Sequence, residues 1–422
     1  MIIKNFSRLA NTSLRRDALL IANAGYQALE ITSLFADTCS VEKNNLCVES
    51  IKYNLASYRH VYIVGIGKGS ALAVKSLARS LPKKSITAGV VIDIRKLYIH
   101  SRIKSFVGTH PLPSKQNISA TKRAIELLSK ATAQDLVITV ICGGGSSLSC
   151  KPSGALTASD LQMVSDHLLK SGANIQQINT VRKHMSLVHG GNMAKYAYPA
   201  TVLSLIVSDV PGNDLQMVAS GPTVLDQTTV ADAQKIAKQF TLDNIDFVET
   251  PKNKKYFENV TNIVLASGAK AINGMRNKAQ ELGYLPVIYS EELSGLACEI
   301  GPKMSKAVGS YQALLACGET QVVVSRPGKG GRNQDLALAA LPYLPSNSVL
   351  VSCASDGKDN IAVAGGIVDS VFSSAKSKKL SIDPTQAVKN NLSFVTLKRL
   401  KGIFKIKPIT ANVSDFVIVL RR

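Results

Sequence analysis

A short apolar run, a glycine-rich or polar turn and a stretch of helical periodicity follow one another repeatedly along this chain. The pattern occurs at residues 61–81, at residues 136–147 and again at residues 201–212. Parallel strands need long crossover connections, usually helices, so a strand–turn–helix alternation predicts a parallel sheet. The sequence therefore predicts an α/β fold with a doubly wound, mostly parallel sheet, whose loops at the carboxyl ends of the strands gather into one crevice.

The length of 422 residues exceeds what one hydrophobic core normally supports, and two domains are expected. A polar, lysine-rich stretch without clear periodicity occupies residues 240–259, and a new strand–turn–helix unit begins at residue 263. We place the boundary in that stretch, which predicts an N-terminal domain of residues 1–249 and a smaller α/β domain of residues 250–422.

Three further predictions concern individual elements. Apolar residues recur at helical spacing over residues 14–35, which predicts an N-terminal helix packed on the first domain. Short apolar runs at residues 321–324 and 349–353 predict two more strands in the second half.

Composition restricts the classes of partner. Hydrophobic residues make up 45% of the chain, aromatics only 5%, and Trp is absent, which favours the aliphatic packing of a parallel sheet. The 50 Lys and Arg against 29 Asp and Glu give a net charge of +21, which attracts anionic ligands. These cations are scattered without interleaved aromatics, so the sequence favours a solvated basic surface over a nucleic-acid interface.

Cysteine usage and hydropathy indicate the compartment. The seven Cys residues are far apart and form no CxxC pair, so neither a disulfide framework nor a zinc site is indicated. No apolar stretch has the length of a signal peptide or a membrane span. We expect a cytoplasmic protein with a small-molecule substrate and no membrane partner, and the sequence leaves a homodimer open.

The turn after the apolar run 136–142 carries the strongest signal for anion binding. It consists of Gly143, Gly144, Gly145, Ser146 and Ser147. Successive glycines let backbone N–H groups converge on an anion at the start of the next helix, so we predict that this turn binds a nucleotide phosphate. An ordinary tight strand-to-helix turn is the alternative interpretation.

Two cationic residues lie in similar surroundings. Lys68 follows Gly65 and Gly67 at the end of a predicted strand, although the glycine spacing does not match a Walker A motif. Arg332 follows Gly330 and Gly331 at the start of a predicted helix, and we predict that these two glycines also bind a nucleotide phosphate. A helix N-terminus and a guanidinium that both face a phosphoryl group would stabilise its developing charge. The alternatives are an exposed lysine on a turn and an arginine on the rim.

A further set of polar residues could complete such a site. Asn179 and Arg182 belong to a run of donors, and Asp209 and Asp356 each follow a predicted strand. Those two carboxylates could hold Mg²⁺ or accept a hydroxyl proton, although Asp before Gly is also common turn chemistry. No histidine pair has metal-binding spacing, and the nucleophile elbow of a hydrolase is absent.

Over nearly the whole chain, the glycine-rich loops and their neighbours resemble the glycerate 2-kinase family. The segments that carry the resemblance are GIGKGSALA from Gly65, GTHPLP from Gly108, CGGGSSL from Cys142, LLKSGANIQQINTVRKHMS from Leu168, HGGNMA from His189, SDVPGNDLQMVASGPTVLDQTT from Ser208, CGETQVVV from Cys317, GKGGRNQDLALAAL from Gly328 and SDGKDN from Ser355.

The resemblance implies a fold, an activity and two catalytic residues. It implies a Rossmann-like N-terminal domain, a smaller C-terminal α/β domain and an active site in the cleft between them. The implied reaction is transfer of a phosphoryl group from ATP, with Mg²⁺, to the C2 hydroxyl of D-glycerate, giving 2-phosphoglycerate. Lys68 and Arg332 fall on the positions that the family uses for catalysis. We add that Lys68, Arg182 and Asn179 bind the substrate, with Arg182 on its carboxylate, and that Asp209 orients the hydroxyl or the metal.

Departures from the family pattern keep two other functions open. Ser114, Gln177, Asn213 and Val363 stand where the family typically has an acidic residue. Their loss could alter metal binding or substrate choice and would make the cleft more positive. A homologue that binds an acidic small molecule without turnover is therefore one alternative. An NAD(P)-dependent hydroxypyruvate reductase is the other, although no GxGxxG with a downstream ribose-binding acid follows a strand.

Overall fold

The computed structural model describes residues 1–208, 210, 214–242, 244–407 and 413–422. This part of the chain divides into two compact units. Residues 31–265 form one unit, and residues 1–30 together with residues 266–422 form the other. The domain limits 1–249 and 250–422 stay a prediction.

The helices, in chain order, are α1 (Phe6–Leu9), α2 (Ser13–Ala28), α3 (Ile31–Thr38), α4 (Ser70–Ser80), α5 (Lys115–Leu128), α6 (Gly145–Leu148), α7 (Ala158–Lys170), α8 (Ile175–His184), α9 (Asn192–Ala197), α10 (Val230–Gln239), α11 (Gly268–Glu281), α12 (Ala297–Ala307), α13 (Arg332–Ala340), α14 (Phe372–Lys379), α15 (Pro384–Lys389) and α16 (Ser393–Arg399).

The strands are β1 (Cys39–Glu42), β2 (Asn45–Val48), β3 (Ile51–Asn54), β4 (Val61–Ile66), β5 (Ile86–Asp93), β6 (Ile103–Val107), β7 (Leu136–Ile141), β8 (Thr201–Val207), β9 (Val260–Ala266), β10 (Leu285–Leu293), β11 (Gln312–Gly318), β12 (Ser348–Ala354), β13 (Gly365–Asp369), β14 (Ile403–Phe404) and β15 (Asp415–Arg421).

The unit of residues 31–265 is built on a six-stranded sheet in the order β6-β5-β4-β7-β8-β9. The pairs from β6 to β8 are parallel. Every residue of β4 and β7 is buried, as their continuous apolar runs require of central strands covered on both faces. The turns after β4 and β7 therefore leave the same edge of this sheet. A small antiparallel sheet, β1-β2-β3, belongs to the same unit.

The other unit contains a six-stranded sheet in the order β10-β11-β15-β12-β13-β14. Its β10–β11 pair is parallel, and its other pairs are antiparallel. Buried residues of α12, α13 and the strands form its hydrophobic core. The mixed α/β class predicted from the sequence is confirmed, with a mostly parallel six-stranded sheet and a second sheet in the other unit.

The N-terminal segment differs from its prediction. The pattern over residues 14–35 forms two helices, α2 and α3, rather than one. Helix α2 packs on α11 and belongs to the unit of residues 1–30 and 266–422, not to the unit of residues 31–265 that contains the first sheet. Gly25 and Gly274 lie at this contact, where a side chain on Gly274 would reach the carbonyl oxygen of Ala24 at 2.9 Å. Apolar periodicity predicts a helix but does not identify the surface that it covers.

Two other predictions are corrected. The run 321–324 forms no strand, because its only bridge to another described residue is the isolated one between Gln321 and Leu296. Strand β9 was expected to begin the second half of the chain, yet it pairs beside β8 at the end of the first sheet. Both errors arise because strand pairing depends on distant partners that a local pattern does not show.

Candidate active site

The turn after β4 and the turn after β7 are in direct contact. Gly67 has a φ of +108°, and a side chain there would lie 2.2 Å from the carbonyl oxygen of Cys142. The backbone N–H of Lys68 donates to the carbonyl oxygen of Gly143 at 2.9 Å. Only glycine fits this close approach, so the contact between the two turns explains why residue 67 is a glycine.

The middle of the second turn lies against Lys68 and His110. Gly144 has a φ of +75°, and a Cβ atom there would lie 2.9 Å from the imidazole of His110 and 3.0 Å from Cε of Lys68. Burial, together with the charge of Lys68, lowers the pKa of His110, so this imidazole is neutral near pH 7. Among the described residues, the amides of Gly143 and Gly144 donate to no backbone carbonyl.

A buried chain of hydrogen bonds connects this turn to α8. Ser146 Oγ lies 3.0 Å from Ser220 Oγ, which donates to Oδ1 of Asn179 at 2.7 Å. The Nδ2 group of Asn179 donates to the carbonyl oxygen of Ile175 at 3.1 Å. Asn179 is thus buried and engaged with protein groups, and direct contact with a substrate stays a prediction.

Arg182 extends from α8 toward the same turn. Its Nη1 lies 3.5 Å from Oδ1 of Asn179, and its side chain lines a cavity of about 440 Å³ together with Ser146 and Ser147. Burial lowers the pKa of the Arg182 guanidinium, which nonetheless stays charged at neutral pH. No carboxylate in the described ranges forms an ion pair with Arg182 or Lys68.

These contacts make the site in residues 31–265 electropositive. It combines the Lys68 ammonium, the Arg182 guanidinium and the amides of Gly143 and Gly144, and the neighbouring imidazole is neutral. The N-terminus of α4 does not add to it, because the Asp93 carboxylate accepts the N–H of Ala71 at 2.9 Å. Cations and amides without an acceptor among the described residues suit an anionic group such as phosphate or carboxylate.

Arg332 has very different surroundings in the other unit. Its Nε and Nη2 donate to the two carboxylate oxygens of Asp415 at 2.5 and 3.1 Å, and its Nη1 donates to Glu319. Burial would lower the pKa of Arg332, but the hydrogen bonds and charge of Asp415 raise it above its ordinary value. Burial raises the pKa of Asp415 to about 6, so the pair is ionised at neutral pH. The guanidinium is therefore fixed in one orientation, with its charge largely balanced.

The N-terminus of α13 is occupied by a carboxylate of the protein. Asp359 accepts the backbone N–H groups of Asn333 and Gln334 at 3.1 and 2.9 Å, and it also accepts Nε2 of Gln334 at 2.9 Å. The amides of Asn333 and Gln334 thus have an acceptor within the protein, and the prediction that this helix terminus faces a phosphoryl group stays a prediction. Gly331 packs on the same carboxylate, since a Cβ atom added to Gly331 would lie 2.4 Å from Cγ of Asp359.

A cavity of about 790 Å³ opens beside Arg332, Gly330 and Gly331. Its charged lining consists of Glu319, Asp335 and Asp359 against Arg332 and Lys358. Burial, together with the charge of Asp359, raises the pKa of Asp335 to about 6. The lining of this cavity is therefore acidic, with three carboxyl groups against two cations.

The predicted metal ligands receive no support from the described residues. Asp209 lies outside them. The Oδ1 atom of Asp356 accepts the N–H of Lys358 at 2.9 Å, which is ordinary turn chemistry. Within the described ranges, no three His, Cys, Asp or Glu side chains are grouped so that they could hold a metal ion. A Mg²⁺ site formed by protein side chains alone does not fit these residues.

Three of the four replaced acids have structural explanations. Ser114 and Asn117 form a capping box at α5, and Asn174 and Gln177 form one at α8, with Asn174 N–H donating to Gln177 Oε1 at 3.0 Å. A neutral side chain therefore performs the capping role that an acid can perform. Val363 is 4% exposed and packs in the apolar core. Asn213 lies outside the described residues.

The predicted residues thus fall into one group in each compact unit, and four contributors were missed. His110 and Asn117 contact the Gly143–Ser147 turn, the latter by donating to the carbonyl oxygen of Ser147 at 2.9 Å. Asp359 and Asp415 fix α13 and Arg332. His110 and Asp359 lie inside segments quoted for the family resemblance, whereas no local signal distinguishes Asn117 or Asp415.

Comparison with known proteins identifies the family. A domain of unknown function (DUF4147) matches residues 17–249, and the MOFRL family matches residues 312–415. A D-glycerate 2-kinase of Thermotoga maritima is 35% identical over 85% of this chain and 90% of its own length. The chain belongs to the glycerate 2-kinase family.

Other members agree in length and fold. A glycerate 2-kinase of Pyrococcus horikoshii is 30% identical over 96% of this chain and 97% of its own. The crystal structure of a glycerate kinase from Thermotoga maritima superimposes with a TM-score of 0.85 at 31% identity, covering 97% of this chain and all of that one. In the described part of this family member, no helix is long and apolar enough to cross a membrane.

Proposed function

We propose that this protein transfers the γ-phosphoryl group of ATP to the C2 hydroxyl of D-glycerate and releases 2-phosphoglycerate. Family membership supports a kinase acting on a small hydroxy acid, since the relatives compared above carry the names glycerate kinase and glycerate 2-kinase. The observation that carries the proposal is the set of cations and amides around Lys68, Arg182 and Gly144 for which the described part of the chain supplies no acceptor, a set that suits two anionic groups.

Each group has a proposed role that follows from its contacts. The Lys68 ammonium and the amides of Gly143 and Gly144 bind the transferring phosphoryl group, and Arg182 binds the glycerate carboxylate. Arg332, held in place by Asp415, donates toward the phosphoryl group in the transition state. Asp209 is proposed to accept or orient the hydroxyl proton. Mg²⁺ would neutralise phosphate charge when bound with ATP, but no step here is assigned to it.

A coupled assay tests the activity. ADP release with D-glycerate is measured beside NADH oxidation with hydroxypyruvate, and ³¹P NMR distinguishes 2-phosphoglycerate from the 3-phosphate. ATP- and glycerate-dependent ADP release with the 2-phosphate as product supports the proposal. NADH oxidation without ADP release would replace it by the reductase, and binding of glycerate without either reaction would indicate the inactive homologue.

Substitutions test the roles of the two catalytic candidates. We expect Arg332→Ala to lower kcat by about 10²–10³-fold while the KM for glycerate changes less than threefold, because its interaction is made mainly in the transition state. Lys68→Ala should lower kcat/KM by a similar factor. Lys329→Ala is the control, since this exposed lysine lies in the same loop as Arg332. Equal losses in kcat and glycerate binding for Arg332→Ala would remove its transition-state role.

A further inference from the structure

The cavity beside Arg332 continues into a second cavity of about 400 Å³ in the same compact unit. Gln321, Val322 and Asp335 line both, so the two spaces meet along these side chains. Each volume lies within the range of roughly 300–1,000 Å³ that is typical of small-molecule sites. Together they form a recess that extends from Gly328 in the glycine-rich loop to Cys298 and Pro302 in α12.

The second cavity differs from the first in its chemistry. Its wall is mainly apolar and is formed by Ala297, Pro302, Val322, Val323, Tyr343 and Val388. Val323 is 68% exposed and Tyr343 is 44% exposed, so an apolar face and an aromatic ring are open to solvent here. The Lys306 ammonium lies 4.6 Å from the centroid of the Tyr343 ring, which helps to hold the ring in place.

The recess therefore changes in polarity along its length. At one end lies the apolar cavity with an aromatic ring, in the middle lie the amide of Gln321 and the carboxyl of Asp335, and at the other end lie Gly330 and Arg332. A nucleotide has the same order of groups: a flat heterocycle, a ribose with two hydroxyls and a chain of phosphates. D-glycerate is small and polar throughout, and it has no apolar part to fill the second cavity.

We propose that the second cavity binds the purine base of ATP, with the ribose at Gln321 and Asp335 and the phosphates directed toward Arg332. The inference rests on the proposed use of ATP and adds the position of the nucleoside to it. An aromatic base gains by stacking on Tyr343 and by covering the exposed valines. Carboxylate and amide oxygens accept hydrogen bonds from ribose hydroxyls, so a carboxyl group beside the base pocket suits a nucleoside better than a bare phosphate.

Cys298 provides a test that leaves the catalytic groups untouched. It lines the second cavity from α12 and is the one exposed cysteine among the seven. Because the side chain is exposed, Cys298→Trp can fill the cavity without overpacking the core. We expect it to raise the KM for ATP and the Kd for ADP, measured by calorimetry, at least tenfold, while the KM for D-glycerate changes less than twofold. Cys298→Ser is the matched control and should change each constant less than twofold.

Tyr343→Ala gives an independent measurement, with an expected five- to tenfold weaker ADP binding from the loss of stacking. Unchanged ADP binding in Cys298→Trp and Tyr343→Ala would overturn the inference even if the wild type is an active kinase. A rise in the KM for glycerate equal to that for ATP would overturn it as well, by placing the acceptor in the cavity.

Wild-type protein that binds ADP without phosphorylating glycerate would refute the proposed function alone, and the ADP titrations of the variants would still decide where the base binds. Absence of ADP binding by the wild type would refute both.

Discussion

Replacement of Arg15 should weaken the unit formed by residues 1–30 and 266–422 and leave the other unit unchanged. Nε of Arg15 donates to Oδ2 of Asp369 at 2.5 Å, and its Nη2 donates to Ser373 Oγ at 2.7 Å. Arg15 is 1% exposed, and the Asp369 side chain is 3% exposed. Arg15→Met fills similar volume but leaves a carboxylate buried without its cation.

The magnitude follows from what remains around Asp369. Breaking a buried ion pair by removing one partner costs about 3–5 kcal/mol. Asp369 still accepts the N–H groups of Val371 and Phe372, at 2.9 and 2.5 Å, so the lower end of that range, about 3 kcal/mol, is expected. Since about 1.4 kcal/mol corresponds to a factor of ten, opening of this unit should become roughly a hundredfold more frequent.

Hydrogen exchange of the whole chain, followed by mass spectrometry, measures this directly. In Arg15→Met, peptides from α2 and β13 should exchange about a hundredfold faster, whereas those from β4 and β7 should keep their wild-type rates. Arg16→Met is the matched control, because the neighbouring arginine is exposed and should change little. The reasoning would be refuted if α2 exchanged equally slowly in both variants. It would also be refuted if β4 lost as much protection from exchange as α2 in Arg15→Met.

Three further predictions concern single side chains. Gly144→Ala should lower the rate of ADP release about tenfold, because the new methyl group displaces Lys68 and His110. Gly154→Ala is the control, since Gly154 also has a positive φ but has no atom within 4 Å of an added Cβ, and the rate should not change. Asp335→Asn should stabilise the protein at pH 7.5 by up to about 3 kcal/mol and hardly at pH 4, as urea titrations would show. Burial raises the pKa of the Asp335 carboxyl to about 6 in the folded state, above its unfolded value. The folded protein therefore loses stability relative to the unfolded chain as the pH rises from about 4 through 6 and this buried carboxyl ionises. Gln177→Ala should lower the free energy of unfolding by about 0.5–2 kcal/mol through loss of the capping box, and Gln176→Ala, exposed on the same helix, should not.

The sequence predicts the first sheet well because its strands are local and fully buried. Continuous apolar runs at β4 and β7, each followed by a glycine turn, identify central parallel strands without knowledge of their partners. The antiparallel sheet of the other unit is harder to predict. Its strand β15 pairs between β11 and β12, which lie far away in the chain, and no periodicity records that order.

The candidate site is predictable to the extent that it depends on backbone conformation. Gly67 and Gly144 have positive φ angles and are closely packed, and the glycine-rich sequence alone indicates both turns. The acids that fix Arg332 were not recognised, because Asp415 comes from β15, which lies beside β11 only after the sheet has formed. A side chain that acts through a distant partner leaves no local signal.

The net charge of +21 is a poor guide to the field that a ligand meets in each unit. No carboxylate of the described residues pairs with Lys68 or Arg182, so the local field there follows the sign of the whole chain. Beside Arg332, three carboxyl groups face two cations, and the guanidinium is already paired. Since like charges in a low-dielectric cavity repel strongly, a phosphate group gains more from the first environment than from the second. We therefore expect Lys68→Ala to weaken competitive inhibition by inorganic phosphate more than Arg332→Ala does. The opposite order in that inhibition assay would show that Arg332, despite its two carboxylate partners, is the principal phosphate-binding cation.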